Sequence, residues 1–140
     1  MKRVLIILLV STMIITGCVT QTQITTAPPN QTETVVKAAY IKISAQEAKV
    51  IMDTEENVII VDVRTPEEYA QGHIPDAILM PVAQIRSLAP ELLPDLDQTI
   101  LVYCRSGNRS ETGAKTLIDM GYSKVFDFGG IQDWPFDIVK

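Results

Sequence analysis

A single cysteine lies close to two arginines in the segment YCRSGNRSE, residues 103–111. A thiol acts as a nucleophile only as its thiolate, and positive charge close to Cys104 would favour that form. Arg105 and Arg109 can supply this charge, and a guanidinium group also binds oxyanions. The residue types therefore predict a reactive cysteine beside a binding site for an anionic substrate.

The elements on either side of this segment must position the thiol. Residues 99–103 predict a buried strand, and residues 108–120 predict a helix that Gly121 would end in a left-handed conformation. A strand end, a short loop containing Gly107 and a helix start bring backbone N–H groups and the helix dipole to one point. These groups would lower the pKa of Cys104 without a histidine base. The alternative is a cysteine that is merely small and buried.

Strands and helices alternate along the rest of the folded part. Ser44 and Thr65 each precede a glutamate at the third following position, which predicts two capping boxes at helix starts. Alternating elements are typical of parallel βαβ units, so we expect a three-layer α/β/α domain with ligands at the carboxyl ends of its strands. Strands are predicted at residues 40–43, 58–61, 99–103 and 124–128, and a short apolar segment occupies residues 77–80. A further helix is predicted at residues 82–93, with a break at Pro90.

The N-terminus has the features of an export signal. Lys2 and Arg3 precede an apolar run, residues 4–15, of about 12 residues, which is too short to span a bilayer. The following Ile-Thr-Gly-Cys sequence resembles a bacterial lipobox, in which Cys18 would carry lipid. A plain secretory signal and an uncleaved anchor remain alternatives. We predict a leader at residues 1–17 and a membrane-anchored, extracytoplasmic protein.

Composition limits the remaining possibilities. The chain has 140 residues and a net charge of −5, which suits one domain and disfavours nucleic-acid binding. Residues 18–39 are rich in Thr, Gln, Asn and Pro and predict a disordered tether, which leaves 40–140 as the folded domain. With lipid on Cys18, Cys104 would have no disulfide partner. Without a CxxC motif and with only His73, we expect no metal and no cofactor.

Three separated motifs resemble the single-domain rhodanese family. They are CRSGNRS at residues 104–110, VDVRTPEEYAQGHIPDAI at 61–78 and FDFGGIQDW at 126–134. The resemblance covers almost the whole folded region. It implies a rhodanese-like fold with a central five-stranded parallel sheet and helices on both faces, which agrees with the pattern of predicted elements.

The resemblance also implies an activity and a set of site residues. Cys104 would take a sulfane sulfur from thiosulfate, a persulfide or a polysulfide, hold it as a persulfide, and pass it to a thiol or cyanide acceptor. Arg64 would face the site and contact an oxyanion donor, and Asp62 would orient the motif that contains it. The amides that would hold the outer sulfur belong to Arg105, Ser106, Gly107, Asn108 and Arg109.

Family members with strong thiosulfate activity often carry lysine where this chain has Ser106. Loss of that cation should weaken attraction for a dianionic donor, so a persulfide or polysulfide is an expected donor. Among the neighbouring residues, Arg105 is expected to point into solvent. Glu68 is expected to act as a helix cap and His73 as a hydrogen-bonded structural residue. Trp134 is expected in the core, and the protein is expected to be a monomer.

Two other functions remain open. A cysteine phosphatase or arsenate reductase places a Cys…Arg loop at a similar strand–helix junction. The segment from Cys104 to Arg109 is one residue shorter than the phosphatase-type loop, and this length suits a single sulfur atom better. A membrane-tethered carrier that delivers persulfide to a partner protein would need the same thiolate, so Cys104 does not separate it from an enzyme.

Overall fold

The computed structural model describes residues 38–140. These residues form a five-stranded, entirely parallel sheet in the order β1-β5-β4-β2-β3. The strands are β1 (Ile41–Lys42), β2 (Ile59–Asp62), β3 (Ile78–Leu79), β4 (Thr99–Cys104) and β5 (Lys124–Gly130). The helices are α1 (Ala45–Thr54), α2 (Pro66–Gln71), α3 (Ile85–Leu92) and α4 (Asn108–Asp119), with 3-10 turns at Val82–Gln84 and Ile131–Asp133. The predicted α/β architecture with a central parallel sheet is confirmed.

The sheet separates two hydrophobic cores. Because side chains alternate along a strand, Ile100, Val102 and Cys104 of β4 pack with α3 and α4, whereas Leu101 and Tyr103 pack on the opposite face near α1. The central strands are therefore apolar on both faces, as the sequence predicts. Trp134 belongs to the second core, as expected.

Both predicted capping boxes are present. The Ser44 hydroxyl accepts the Glu47 N–H (3.2 Å), and the Glu47 carboxylate accepts the Ser44 N–H (2.7 Å). Thr65 and Glu68 make the corresponding pair of hydrogen bonds at the start of α2. These caps satisfy amides that have no partner within the helix.

The break expected at Pro90 is wrong. Helix α3 continues to Leu92, because Pro90 removes only its own N–H donor and the next turn still closes: Leu93 N–H donates to the Ala89 carbonyl at 2.8 Å. The N-terminal part of the predicted helix is instead a separate 3-10 turn at Val82–Gln84.

Strand β5 extends two residues beyond its predicted end, and this extension reaches the site. The pairing of β4 with β5 shifts register between Val102 and Cys104, so Cys104 lies opposite Gly130. At the shift, Gly129 has a left-handed φ of 89°, and its N–H donates to the buried Asp127 carboxylate at 2.8 Å. The other oxygen of that carboxylate accepts the Tyr40 hydroxyl at 2.6 Å. A buried carboxylate thus fixes the backbone next to Cys104.

The predicted leader, Cys18 and nearly all of the predicted tether lie outside the described residues. Within residues 38–140, no helix is long and apolar enough to cross a bilayer.

Candidate active site

The Cys104 sulfur lies at the N-terminus of α4, at the carboxyl edge of the sheet. The residue is 1% exposed and its thiol is free. Gly107, the N-cap residue of α4, makes no side-chain capping bond, and its N–H donates to Cys104 Sγ at 3.1 Å. The Cys104 sulfur therefore accepts a hydrogen bond at the N-terminus of α4, where a capping side chain would otherwise be the acceptor.

The surroundings of this sulfur favour its thiolate. Burial raises the pKa of the Cys104 thiol, but hydrogen bonds from the N–H groups of Ser110, Gly107 and Ser106 outweigh burial and lower the pKa below its usual value. The Ser110 hydroxyl acts in the same direction. The sequence predicts this direction from the strand–loop–helix arrangement, with no histidine involved.

Two glycines shape the cysteine loop, residues 104–109. Gly107 has a φ of 106°, a left-handed conformation that glycine adopts without strain. At Gly130 an added Cβ would lie 2.4 Å from the Arg105 carbonyl oxygen and 2.7 Å from Ser106 Cα. The loop backbone therefore rests directly on β5, and only glycine leaves room for it. The role of Gly130 was missed in the sequence, where it resembles an ordinary turn glycine.

Ser110 is a second residue that sequence reasoning missed as part of the site. It is fully buried, and its hydroxyl lies 2.8 Å from the Gly107 carbonyl oxygen and 3.2 Å from that of Gly129. One hydroxyl proton serves one acceptor at a time, so these carbonyls compete with the Cys104 sulfur for it. The serine links the loop, α4 and β5.

Arg109 is paired with a carboxylate. Its two terminal nitrogens donate to the two oxygens of Glu68 at 2.6 and 2.8 Å. Glu68 thus acts as the expected cap of α2 and also holds an arginine of the cysteine loop, a contact that the sequence did not predict. The Arg109 hydrogen bond, with smaller contributions from the Thr65 N–H and nearby charges, lowers the pKa of Glu68 to about 2 despite its partial burial.

Arg64 and Asp62 form a buried pair at the end of β2. Arg64 Nε and Nη2 donate to the Asp62 carboxylate at 2.6–3.0 Å, and Nη2 also donates to the Gly72 carbonyl at 2.7 Å. Asp62 additionally accepts the backbone N–H of Arg64 at 2.9 Å. Asp62 therefore fixes both the backbone and the side chain of Arg64.

A cavity of about 320 Å³ adjoins the cysteine loop. Its lining includes Arg64, Glu68, Arg105, Ile131, Gln132 and Ile138. Arg105, Ser106 and Asn108 are exposed, and Arg105 is more exposed than Arg109, as expected. The structure therefore brings all of the predicted site residues in the folded region to one edge of the sheet.

His73 is not among the residues that line the cavity beside the cysteine loop. Its Nδ1 is 3.1 Å from the Tyr69 carbonyl oxygen, and its ring stacks on Tyr69 with centroids 3.7 Å apart. The expectation of a hydrogen-bonded structural residue is confirmed.

Comparison with known proteins gives a consistent result. The sequence model of the family described as rhodanese-like domain matches residues 44–135 of this chain. Thiosulfate sulfurtransferase PspE of Escherichia coli (strain K12) is 36% identical over 80 residues, which cover 57% of this chain and 77% of that protein. A sulfurtransferase of Allochromatium vinosum is 44% identical over 85 residues, which cover 60% and 77%. A solved structure described as rhodanese with anions from E. coli has a TM-score of 0.57 at 35% identity and covers 59% of this chain and 98% of that one.

We expect Gly130→Ala to raise the pKa of Cys104. The new methyl group would push the Arg105–Ser106 backbone away from β5 and move the loop N–H groups off the sulfur. The measurement is the pH dependence of Cys104 alkylation by iodoacetamide, followed on the Cys104 peptide by mass spectrometry. Gly121→Ala, at the end of α4 away from the loop, is the control: its φ of 103° is also left-handed and its Cβ would meet only Leu96 Cδ1 at 3.9 Å, so it should cost about 1–2 kcal/mol of stability with the Cys104 pKa unchanged. A Cys104 pKa in Gly130→Ala equal to that of the wild-type protein would contradict the role of Gly130.

We expect the free energy of unfolding to fall less steeply with decreasing pH in Glu68→Gln than in the wild-type protein. Since Arg109 lowers the pKa of Glu68 from 4.5 to about 2, the pair stabilises the fold above pH 4.5 and loses this contribution as the pH falls towards 2. The side chains are 34% and 22% exposed, so the contribution at neutral pH should be about 1 kcal/mol or less. Urea unfolding of both proteins, followed by Trp134 fluorescence between pH 2 and 7, measures it. A stability difference that stays constant with pH would refute this assignment.

Proposed function

Because this chain belongs to the rhodanese-like domain family, we propose that it is a sulfurtransferase that carries a sulfane sulfur on Cys104. The observation that supports this most directly is the Cys104 sulfur at the start of α4, with the Gly107 N–H donating to it at 3.1 Å. The relatives named sulfurtransferases support the same activity. No cofactor is required for the reaction.

The reaction has two halves. The Cys104 thiolate attacks the outer sulfur of the donor, a new S–S bond forms, and the donor's own S–S bond breaks. With thiosulfate, sulfite leaves with the electron pair and Cys104 becomes a persulfide anion. An acceptor such as cyanide or a thiolate then attacks the terminal sulfur, the Cys104 S–S bond breaks, and the cysteine thiolate returns. With cyanide the product is thiocyanate, and each half balances in atoms and charge.

The roles of the neighbouring residues follow from their positions. The N–H groups of the cysteine loop stabilise first the thiolate and then the anionic outer sulfur of the persulfide. Arg105 is exposed beside the cavity and attracts the anionic donor. Arg64, fixed by Asp62, lines the same cavity and would contact an oxyanion donor there. Arg109 positions the loop through Glu68 and contributes positive charge near the sulfur.

Ser106 bears on the choice of donor. It is exposed next to Cys104 and carries no charge, so the loop offers less attraction to a dianion than a lysine there would. Persulfides and polysulfides are therefore donors alongside thiosulfate. A thiol or cyanide is the acceptor.

Membrane attachment is a second part of the proposal. Lys2, Arg3, the apolar run at residues 4–15 and the lipobox-like sequence ending at Cys18 support a lipoprotein whose lipid anchors the domain outside the cytoplasm. Residues 1–17 would then be removed, and residues 18–39 would tether the domain at residues 40–140 to the membrane.

The persulfide is tested by intact mass spectrometry of the full chain in detergent after incubation with thiosulfate or polysulfide. We expect the gain of one sulfur atom, its removal by cyanide, and no gain in Cys104→Ser. Ser106→Ala is the matched control, since it changes the neighbouring uncharged residue and should keep the gain. Multiple turnovers with cyanide support an enzyme, whereas a persulfide released only to a protein supports the carrier. Absence of any gain with both donors would refute the proposal and favour a phosphatase or arsenate reductase.

Lipidation is tested on chains isolated from a bacterial host. We expect the mature chain to begin at Cys18 with a diacylglyceryl group, and Cys18→Ser to lack both the lipid and this cleavage. Incorporation of labelled palmitate and the mass of the N-terminal peptide measure the two effects. A mature chain without lipid would show a plain secretory signal, and an intact leader in the wild-type protein would show an uncleaved anchor.

A further inference from the structure

The cavity beside the cysteine loop has one apolar side. Ile131 follows β5 in the 3-10 turn, and Ile138 comes from the C-terminal segment, residues 135–140. Ile138 is 50% exposed although it is a large apolar side chain. An apolar group bound in the cavity would bury part of this isoleucine surface and gain free energy from doing so.

The C-terminal segment is fixed in this position by backbone pairing. The His73 N–H donates to the Val139 carbonyl at 2.9 Å, and the Val139 N–H donates to the His73 carbonyl at 2.8 Å. The neighbouring Gly72 leaves room for Ile138, since a Cβ on Gly72 would lie 3.1 Å from Ile138 Cδ1. Ile138 is therefore held against the rim of the cavity by an antiparallel bridge and a close backbone contact.

The cationic side of the cavity carries less charge than its arginines suggest. The Arg64 guanidinium is neutralised by Asp62 at 2.6 Å, and Arg109 is neutralised by Glu68 at 2.6 Å. Among residues 38–140, Arg105 forms no such ion pair. Among the residues that line this cavity, Arg105 thus carries the one positive charge that no carboxylate compensates, and it lies beside the apolar side formed by Ile131 and Ile138.

We infer that Ile138 and Ile131 form the apolar half of the donor site and that this site selects singly charged sulfane donors with an apolar group over doubly charged thiosulfate. Organic thiosulfonates and alkyl persulfides have this character. For a thiosulfonate, the Cys104 thiolate bonds to the outer sulfur, the bond from that sulfur to the sulfonyl sulfur breaks, and a sulfinate leaves with the electron pair. This inference rests on the proposed sulfurtransferase function.

The test compares benzenethiosulfonate with thiosulfate as donors for the full chain, with cyanide as the common acceptor. The ratio of the two kcat/KM values should fall roughly fivefold to tenfold in Ile138→Ala, the loss expected from removing apolar contact in a binding pocket. Ile138→Leu should keep the wild-type ratio. Val50→Ala, an exposed apolar residue on α1, should also leave it unchanged. Differences in leaving-group reactivity cancel because each variant receives the same two donors.

A second readout does not depend on sulfur transfer. Calorimetry measures the Kd of benzenesulfinate, the leaving group, for chains carrying Cys104→Ser with and without Ile138→Ala. The Kd should rise by a similar factor when Ile138 is truncated. An unchanged donor ratio in Ile138→Ala, with both donors active, would overturn the inference and leave the proposed function intact. If thiosulfate, polysulfide and benzenethiosulfonate all fail to load Cys104, the proposed function fails. The Kd of benzenesulfinate then tests the apolar site separately: weaker binding in Ile138→Ala supports it, and no binding refutes it.

Discussion

The convergence of backbone N–H groups on the Cys104 sulfur is the constraint on which the rest of the structure depends. It requires the strand to end at the cysteine and the helix to begin four residues later, with Gly107 in a left-handed conformation between them. It also requires β5 to lie close beneath the loop, which the register shift at Gly129 and the missing side chain of Gly130 allow. Asp127 then holds this part of β5 in place through its bond to the Gly129 N–H.

The Cys104 thiolate is stabilised by the dipoles of backbone N–H groups more than by charged side chains. Arg64 and Arg109 are both paired with carboxylates, so their net effect on a distant anion is small. Backbone N–H groups, by contrast, are fixed by the fold and need no counterion. This arrangement lets a chain with a net charge of −5 attract an anion locally, through the N–H groups of the cysteine loop and the Arg105 side chain.

Those parts of the molecule that depend on neighbours in sequence were predictable. The capping boxes at Ser44 and Thr65, the buried central strands and the strand–cysteine–helix junction each follow from patterns over a few residues. The Glu68–Arg109 pair and the contact of Gly130 with Arg105 join residues far apart in the chain, and no local pattern marks them. Pro90 failed as a break for a related reason: one lost hydrogen bond was outweighed by the bond that closes the next turn, from Leu93 to Ala89.

The burial of Cys104 connects the geometry to the chemistry. At 1% exposure the sulfur is reached only by a small atom or by the end of a slender donor. In the proposed transfer, Cys104 receives a single sulfur atom, bonded at about 2.05 Å, which the N–H groups of the cysteine loop would stabilise. A bulky tetrahedral group on the same sulfur would instead have to fit within a loop whose backbone already rests on Gly130, so the close packing that stabilises the thiolate also favours sulfur as the transferred atom.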